Sequence, residues 1–320
     1  MMEPIVFIHV PKTAGTSFRY GADQFFGALQ VCRDYGPKSP ETSDIVNHLI
    51  NQNADWWQFR RAFDEHNYRF FTGHFNAKRY ASLFGIARTI TFLRDPVQRI
   101  VSEYNHFVRN YNYQRSLKEF YNTKNFINRQ LGMFIGIPWS GLGFIGFTER
   151  YAESLTLLNT RFQIDIPCLK ANISKESISQ NYILSQEQKT EICHLNAAEI
   201  KFYDRARTQY EWRVKLAKTK QKFVKGMING VNDNHLKGWA IYDDQDKPVQ
   251  LQIALNGEQI GDVVACEDRP NLRGIGIGRG GFVGFSLKIP AVRSGDEISV
   301  IAVSTGQPLA NSPWRMISKN

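Results

Sequence analysis

The chain has 320 residues, of which 42% are hydrophobic and 22% charged, and its formal net charge at pH 7 is +10. This composition is typical of a globular protein of one or two domains and argues against wholesale disorder. No run of eighteen apolar residues is present, and the apolar run that follows Glu3 and Pro4 is too short for a signal peptide, so we expect neither a membrane span nor export.

The cysteines are scattered along the chain without the spacing of metal ligands or of a C-x-x-C pair. They are Cys32, Cys168, Cys193 and Cys266. We therefore expect no disulfide framework and no metal site, and the sequence favours a reducing, cytoplasmic location.

The excess positive charge lies in the first 222 residues. They contain 30 basic and 20 acidic side chains, whereas residues 223–320 contain ten of each. Such a field favours an anionic partner, either a nucleic acid, an acidic polysaccharide or a nucleotide cofactor. A basic surface without a specific partner explains the charge equally well.

Predicted strands and helices alternate in residues 1–222. Buried-strand patterns cover residues 5–10, 68–75 and 87–93. Helical patterns cover residues 43–66, 97–111, 116–132, 148–162 and 185–218. This alternation predicts an α/β domain, in which a parallel sheet is flanked by crossover helices and binds ligands at the carboxyl ends of its strands.

The pattern changes near residues 218–226, and apolar positions then recur at period two. They are Val249, Leu251, Ile253 and Leu255, then Phe285, Leu287 and Ile289, then Ile298, Val300 and Ala302. Between them, Asn256 and Gly257 predict a hairpin turn. We expect residues 223–320 to form a small all-β, sandwich-like domain that acts as a binding or docking module or as a structural appendage.

Residues 273–282, RGIGIGRGGF, contain the glycine spacing G-x-G-x-x-G at Gly276, Gly278 and Gly281. A dinucleotide fingerprint needs a strand before these glycines and a helix after them. No helical pattern follows, so we interpret this segment as a loop between strands.

The first predicted strand leads into the sequence HVPKTAGTS and then into a predicted helix. Backbone N–H groups at the start of that helix and its dipole favour a bound anion. Gly15 permits close approach of the backbone, and Lys12 adds a mobile positive charge. Thr16 and Ser17 are either hydroxyl donors to the anion or helix caps. Together these residues suit a phosphate or a sulfonate.

A second polar stretch, FLRDPVQRIVSEY, follows the strand predicted to end at Leu93. Asp95 can cap the next helix and Pro96 can begin it. Arg94 and Ser102, two turns into that helix, can converge on one phosphate. The alternative is that Arg94 pairs with Asp95 or with another acid.

Together the two stretches resemble the sulfotransferases that use PAPS (3′-phosphoadenosine-5′-phosphosulfate), most closely the carbohydrate branch typified by heparan sulfate 2-O-sulfotransferase and its bacterial relatives. The resemblance covers residues 4–215 and implies a P-loop-like parallel sheet, without reaching the C-terminal domain. It implies a loop for the 5′-phosphosulfate, formed by Lys12, Thr13, Ala14, Gly15, Thr16 and Ser17. It assigns the 3′-phosphate to Arg94 and Ser102. Residues 126–133 and 145–159 are weaker matches to a cofactor-side helix and to the segment after it.

His74, in the sequence FFTGHF, ends a predicted strand near the same edge of the sheet. In the 2-O-sulfotransferase branch a histidine that follows a glycine is the general base, and the resemblance implies this role for His74. A hydroxyl is a poor nucleophile, so a base with a near-neutral pKa is what the reaction needs. The alternatives are His9, which we expect to shape the loop, His106 and Glu103.

The resemblance therefore implies an enzyme that transfers the sulfuryl group of PAPS to a hydroxyl, in-line and without a metal, releasing PAP (adenosine 3′,5′-bisphosphate). Lys12 and the loop amides would stabilise the charge that develops on the leaving phosphate. We expect a bacterial cytoplasmic enzyme with a glycan acceptor and no nucleic-acid partner.

Two other classes remain possible. A P-loop kinase would place its lysine after the glycines, unlike this chain. A non-enzymatic protein that binds an anionic glycan or a nucleotide would use the same basic surface.

The segment 132–147 is rich in glycine and aromatic residues. It is either a core-packing segment, which we favour, or part of an acceptor site in which Trp139 stacks on a sugar.

Overall fold

The structure is a computed structural model that describes residues 3–169 and 182–316. These residues form two compact units. The first comprises Met1–Phe84, Arg88–Ile137 and Phe144–Asp204, and the second comprises Gly85–Ala87, Pro138–Gly143 and Arg205–Asn320. The last long helix ends at Lys218, and the first strand after it begins at Val224.

The first unit contains five strands and most of the helices. The strands are β1 (Ile5–Ile8), β2 (Val31–Asp34), β3 (Phe70–Gly73), β4 (Thr89–Leu93) and β5 (Phe144–Phe147). The helices are α1 (Gly15–Phe26), α2 (Trp56–Glu65), α3 (Lys78–Phe84), α4 (Pro96–Tyr111), α5 (Leu117–Tyr121), α6 (Arg129–Gly132), α7 (Tyr151–Phe162), α8 (Gln186–Leu195) and α9 (Ala197–Lys218), of which α9 extends into the second unit. None of the helices that the structure describes has the length and apolar character needed to cross a membrane.

All five strands are parallel, in the order β2-β3-β1-β4-β5. Each strand is buried along almost its whole length, because helices cover both faces of such a sheet. The predicted fold class, a parallel sheet flanked by helices, is confirmed. The sheet brings the residues that follow β1, β2, β3 and β4 to one edge.

Aromatic side chains fill the core of this unit. Phe7 on β1 packs edge-on against Phe18 of α1, with ring centroids 4.6 Å apart, and against Phe92 of β4. All three rings are fully buried. The side chains that anchor α1 to the sheet therefore also fix where the loop between β1 and α1 begins and ends.

The helix predicted over residues 43–66 is wrong in extent. A π-helical segment, Val46–Gln52, is separated from α2 by Ala54, which has a left-handed φ of 52°, and by Asp55, whose side chain accepts a hydrogen bond from Gln58 N. An Asx N-cap starts a new helix, and this signal was present in the sequence. The strands β2 and β5 were not predicted.

The second unit contains two antiparallel sheets that share one core. The strands are β6 (Val224–Asn232), β7 (His235–Tyr242), β8 (Val249–Leu255), β9 (Glu258–Ala265), β10 (Glu267–Asp268), β11 (Phe282–Lys288), β12 (Glu297–Ala302) and β13 (Trp314–Arg315). Their orders are β10-β11-β7-β6 and β13-β12-β8-β9. Strands of both sheets contribute to a single buried cluster. The predicted all-β, sandwich-like architecture is confirmed.

The predicted hairpin joins β8 to β9. Asn256 and Gly257 have φ values of 51° and 89°, as the two central residues of a type I′ turn require. Gly276 and Gly278 lie between the short helix α10 (Pro270–Arg273) and β11, and a strand follows them. The glycine spacing is therefore a loop, as expected, and Gly276 is needed because a Cβ there would lie 2.6 Å from the Cα of Gly85.

Gly73 offers a test of how tightly β2 and β3 approach each other. A Cβ at this position would lie 1.8 Å from the backbone oxygen of Asp34. We expect Gly73→Ala to lower the free energy of unfolding by about 1–3 kcal/mol or more, because overpacking usually costs this much. Gly132→Ala is the control, because a Cβ there meets nothing within 4 Å. Urea denaturation measures both, and equal stability of the two variants would contradict the close approach.

Candidate active site

The loop between β1 and α1 has an unusual backbone. Lys12 and Ala14 have left-handed φ values of 67° and 64°, on either side of Thr13. Thr13 is buried, and its hydroxyl donates a 2.9 Å hydrogen bond to the carbonyl of Val10. Non-glycine residues adopt this conformation only where the surroundings hold it in place. The loop is therefore a fixed turn, which presents successive backbone groups to one side.

The helix α1 begins directly after this turn without a side-chain cap. Its N-cap residue is Ala14, which has no side chain that could accept from the first turn, and Gly15 is the first helical residue. N–H groups at an uncapped helix start, together with the helix dipole, form an anion site. Gly15 serves a further purpose that the sequence did not reveal, since a Cβ there would lie 2.1 Å from Cδ2 of the His9 ring.

Three cationic side chains surround the loop. Lys12 has a pKa below its ordinary value, because it is partly buried and because Arg109 and Arg94 are close to it. Arg94 also has a lowered pKa, mainly through burial, and its Nη1 lies 3.5 Å from the carbonyl oxygen of Lys12. Within the part of the chain that the structure describes, none of these three forms an ion pair. An anion would relieve their mutual repulsion.

The helix α4 presents a polar face to this cluster. Asp95 caps it by accepting from Gln98 N at 2.9 Å, and Pro96 is its first residue, both as predicted. Ser102, His106 and Arg109 follow at helical spacings of four and three, so they lie along one face. The alternative in which Arg94 pairs with Asp95 is not what the structure shows, since the Asp95 side chain caps the helix, and the backbone N–H of Asp95 donates to Glu149.

Gln130 holds the backbone of Arg94 from both sides. Its side-chain oxygen accepts from Arg94 N at 3.0 Å, and its amide nitrogen donates to Arg94 O at 2.9 Å. The same amide donates to Glu199 at 3.0 Å, and Glu199 also accepts from Gln130 N. We call these bonds the Gln130 clamp. The clamp fixes the backbone orientation of Arg94 at the end of β4.

A buried ion cluster lies behind the clamp. Arg99 is fully buried on α4 and contacts Glu103 at 2.6 Å and Glu199 at 3.5 Å. Arg129 on α6 pairs with the second oxygen of Glu103 at 3.0 Å. Glu103 is therefore engaged by two arginines and is not placed to accept a proton from a substrate.

His74 lies at the carboxyl end of β3 with an exposed side chain. Its Nδ1 is 2.6 Å from the carbonyl oxygen of His9. A carbonyl can only accept, so Nδ1 carries the proton and Nε2 of the neutral ring has the free lone pair. Desolvation lowers the pKa of His74 below 6.5, which outweighs the opposite effect of that hydrogen bond. The ring is therefore neutral at pH 7, with Nε2 able to accept a proton.

His9 is buried beside the loop. Its ring lies 4.5 Å from that of His74, and its Nδ1 is 3.0 Å from the hydroxyl of Tyr35. Burial, followed by the charges of His74, Arg19 and Lys12, holds its pKa well below 6.5. His106 on α4 is half-exposed, bonds to Asn110, and has a pKa lowered by partial burial and by Lys12.

Comparison with known proteins identifies the family of this chain. Residues 2–209 match the model of the Sulfotransferase family. The chain belongs to the sulfotransferase family. A solved sulfotransferase from Alicyclobacillus acidocaldarius is similar, with 15% sequence identity, a TM-score of 0.34, and a match that covers 63% of this chain and 96% of that one. No curated protein matches the sequence significantly.

The structure of this sulfotransferase brings most of the predicted site residues to one edge of the sheet. Lys12 to Ser17 form the turn and the start of α1, while Arg94 and His74 follow β4 and β3, the two strands on either side of β1. Ser102 is buried on α4. The roles of these residues remain predictions. Trp139 lies half-buried in a 3₁₀ turn of the second unit, and its contact with an acceptor also remains a prediction.

Several residues of this edge were missed by the sequence analysis. They are Arg19, Tyr35, Arg99, Arg109, Gln130 and Glu199. Only Arg109 had a local signal, since it lies seven residues after Ser102 on a predicted helix. Within residues 3–169 and 182–316, no group of three or more His, Cys, Asp or Glu side chains is placed to hold a metal ion.

The buried ion cluster predicts a large effect of removing its central cation. We expect Arg99→Met to lower the free energy of unfolding by about 3–5 kcal/mol, because Glu103 and Glu199 would keep buried charges that lack this partner. Arg61→Met is the control, since Arg61 pairs with Glu65 on the surface, where such a pair contributes about 0–1 kcal/mol. Denaturant unfolding of both variants measures the difference, and a loss as small as the control's would show that the cluster is solvated.

Proposed function

We propose that this sulfotransferase transfers the sulfuryl group of PAPS to a hydroxyl of a glycan, with His74 as the general base. The observation that carries the proposal is the hydrogen bond from His74 Nδ1 to the His9 carbonyl. It leaves the basic nitrogen of a neutral histidine free at the sheet edge where α1 begins without a side-chain cap. Lys12, Arg94 and Arg109 lie at the same edge and form no ion pair with any residue that the structure describes.

The residues at this edge suit a donor with two separated anionic groups. The turn at Lys12 and Ala14, with the N-terminus of α1, would hold the 5′-phosphosulfate. Arg94 and Ser102 would hold the 3′-phosphate, and the clamp by Gln130 would keep Arg94 in the orientation that a bidentate bond to phosphate requires. Burial, Arg109 and Arg94 lower the pKa of Lys12, and a bound anion would stabilise its charged form.

PAPS, when bound, supplies a sulfuryl group whose leaving group is a phosphate oxygen. Lys12 and the amides of the loop would stabilise the negative charge that develops on that oxygen. Nε2 of His74 would remove the proton of the acceptor hydroxyl as the new S–O bond forms. The imidazolium formed in this step keeps its Nδ1–H bond to the His9 carbonyl, which therefore stabilises the charged ring.

The proposed acceptor class rests on the resemblance to the carbohydrate branch. A glycan agrees with the basic character of residues 1–222, since basic surfaces attract acidic polysaccharides. A screen of polysaccharides, lipid-linked sugars and small alcohols with radiolabelled PAPS would identify the acceptor.

The donor site is tested by calorimetry with PAP. We expect binding at micromolar affinity or tighter, and a loss of about 10–100-fold in Lys12→Ala and in Arg94→Ala, since each removes a charge-assisted hydrogen bond. Arg61→Ala, which removes an arginine paired with Glu65 on α2, should leave the affinity unchanged. If the folded wild-type protein did not bind PAP, the proposal would be wrong and a non-enzymatic role would be favoured.

The base is tested by the rate of PAP release from PAPS in the presence of the acceptor. We expect His74→Ala to keep its PAP affinity and to lose about 10²–10⁴-fold in turnover. Only the neutral ring can accept a proton, so wild-type activity should be constant above pH 6.5 and fall at lower pH, with a midpoint below 6.5 because the pKa of His74 is lowered. His48→Ala, which removes an exposed histidine, is the control. Wild-type turnover in His74→Ala would move the role to another group.

A further inference from the structure

His9 is a buried histidine that the proposed reaction does not yet use. Its backbone carbonyl orients His74, but its ring points elsewhere. The Nδ1 side of the ring faces the hydroxyl of Tyr35 at 3.0 Å. The opposite edge, formed by Cδ2 and Nε2, faces Gly15, where an added Cβ would lie 2.4 Å from Nε2. The ring of His9 thus lies between Tyr35 and Gly15, the first residue of α1.

The neighbours of Tyr35 indicate which nitrogen of His9 has the proton. The guanidinium carbon of Arg19 lies 5.5 Å from the centroid of the Tyr35 ring, and Thr72 is a further neighbour of the Tyr35 hydroxyl. Because Arg19 can only donate, its position favours the arrangement in which the Tyr35 hydroxyl donates to Nδ1 of His9. Burial raises the pKa of Tyr35, so this hydroxyl stays protonated.

In this arrangement Nδ1 of His9 accepts, so the proton of the neutral ring lies on Nε2. The doubly protonated ring is disfavoured, because burial and three neighbouring cationic or ionisable groups hold the pKa of His9 well below 6.5. In this arrangement His9 and His74 are neutral rings in opposite tautomers, with the proton on Nε2 in His9 and on Nδ1 in His74.

We infer that His9 is a hydrogen-bond donor to the donor substrate, through Nε2–H, at the N-terminus of α1. The inference rests on the proposed function, because it takes the group held by this loop to be the 5′-phosphosulfate. The Nε2 edge lies against Gly15, beside the N–H groups that no side chain caps. A donor fixed by Tyr35 before the reaction needs no reorganisation when negative charge develops on the leaving oxygen.

The tautomers are tested by NMR on the full chain with ¹⁵N-labelled histidine, with His9→Phe used for assignment. We expect His9 to show an unprotonated Nδ1 and a protonated Nε2, and His74 to show the reverse. Saturation with PAP should shift the Nε2–H proton of His9 downfield. A proton on Nδ1 of His9 overturns the inference, and so does an Nε2–H resonance that PAP leaves unchanged.

Failure of this inference differs from failure of the proposed function. If calorimetry detects no PAP binding, the proposed function fails and the donor role of His9 fails with it. If PAP binds and His74→Ala abolishes turnover, while the resonances of His9 do not respond to PAP, only the inference is overturned.

The variant His9→Phe tests the donor in turnover. It removes both ring nitrogens and keeps the backbone carbonyl to which His74 donates. We expect turnover to fall by about 10²-fold, the usual effect of removing one such donor. The low-pH limb of the activity profile should stay in place, because it belongs to His74. Near-normal turnover, or a low-pH limb displaced from its wild-type position, would indicate a merely structural role.

Tyr35→Phe provides a second test that does not require a folded His9 variant. It removes the hydroxyl that holds the tautomer and leaves both histidines intact. We expect a mixture of tautomers at His9 and a turnover loss smaller than that of His9→Phe. A pure Nε2–H tautomer with full turnover in this variant would overturn the inference. His66→Phe, which alters an exposed histidine at the end of α2, is the matched control.

Discussion

The hydrogen bond between His74 and the carbonyl of His9 joins the ends of two adjacent strands, and the proposed chemistry depends on it. The register of β1 and β3 places Ile8 opposite Gly73, and His9 N donates to Gly73 O at 3.0 Å. The next residue of each strand therefore lies at the same edge. Gly73 is what allows this edge to be compact, since it leaves room for the backbone of Asp34, which in turn accepts from His74 N.

The buried ion cluster behind the sheet edge contributes more to the positioning of Arg94 than to the stability of the fold. Burying charges is unfavourable even when they are paired, so apolar side chains of similar size at Arg99, Glu103 and Glu199 would be no less stable. What apolar side chains could not do is hold Gln130, which needs a carboxylate acceptor to keep its amide turned towards the backbone of Arg94. The buried charges thus orient a cation that lies at the surface of the site.

The sequence predicted the parts of the fold that have a local signal. The three central strands are continuous apolar runs, and the helix at Pro96 has both a cap and a proline. The strand β2 was missed because VCRD contains only two apolar residues, and β5 because FIGF lies within a glycine-rich segment. Ala54 breaks a predicted helix that Asp55 then restarts, and there the signal was present but not used.

The residues of the candidate site also differ in whether a local sequence signal marks them. The loop from Lys12 to Ser17, Arg94 and His74 each follow a strand, and a sequence motif marks each of them. Tyr35 and Gln130 have no motif, because their partners lie between 26 and 69 positions away in the chain. Contacts of this kind depend on the topology of the sheet, which sequence spacing does not contain.

Two neutral histidines whose rings lie 4.5 Å apart would also explain how the proposed site can attract an anion and still contain a base. Burial, together with the cations near the loop, disfavours protonation of the nearby imidazoles, as the lowered pKa values of His9 and His106 indicate. A base in this field must therefore be stabilised only after it takes up its proton. The His9 carbonyl would do this for His74 through Nδ1, whereas in the inferred tautomer Tyr35 occupies Nδ1 of His9 as a donor and leaves that ring without the same support. The difference in hydrogen-bond partners, more than the distance from the loop, would then separate the proposed base from the proposed hydrogen-bond donor.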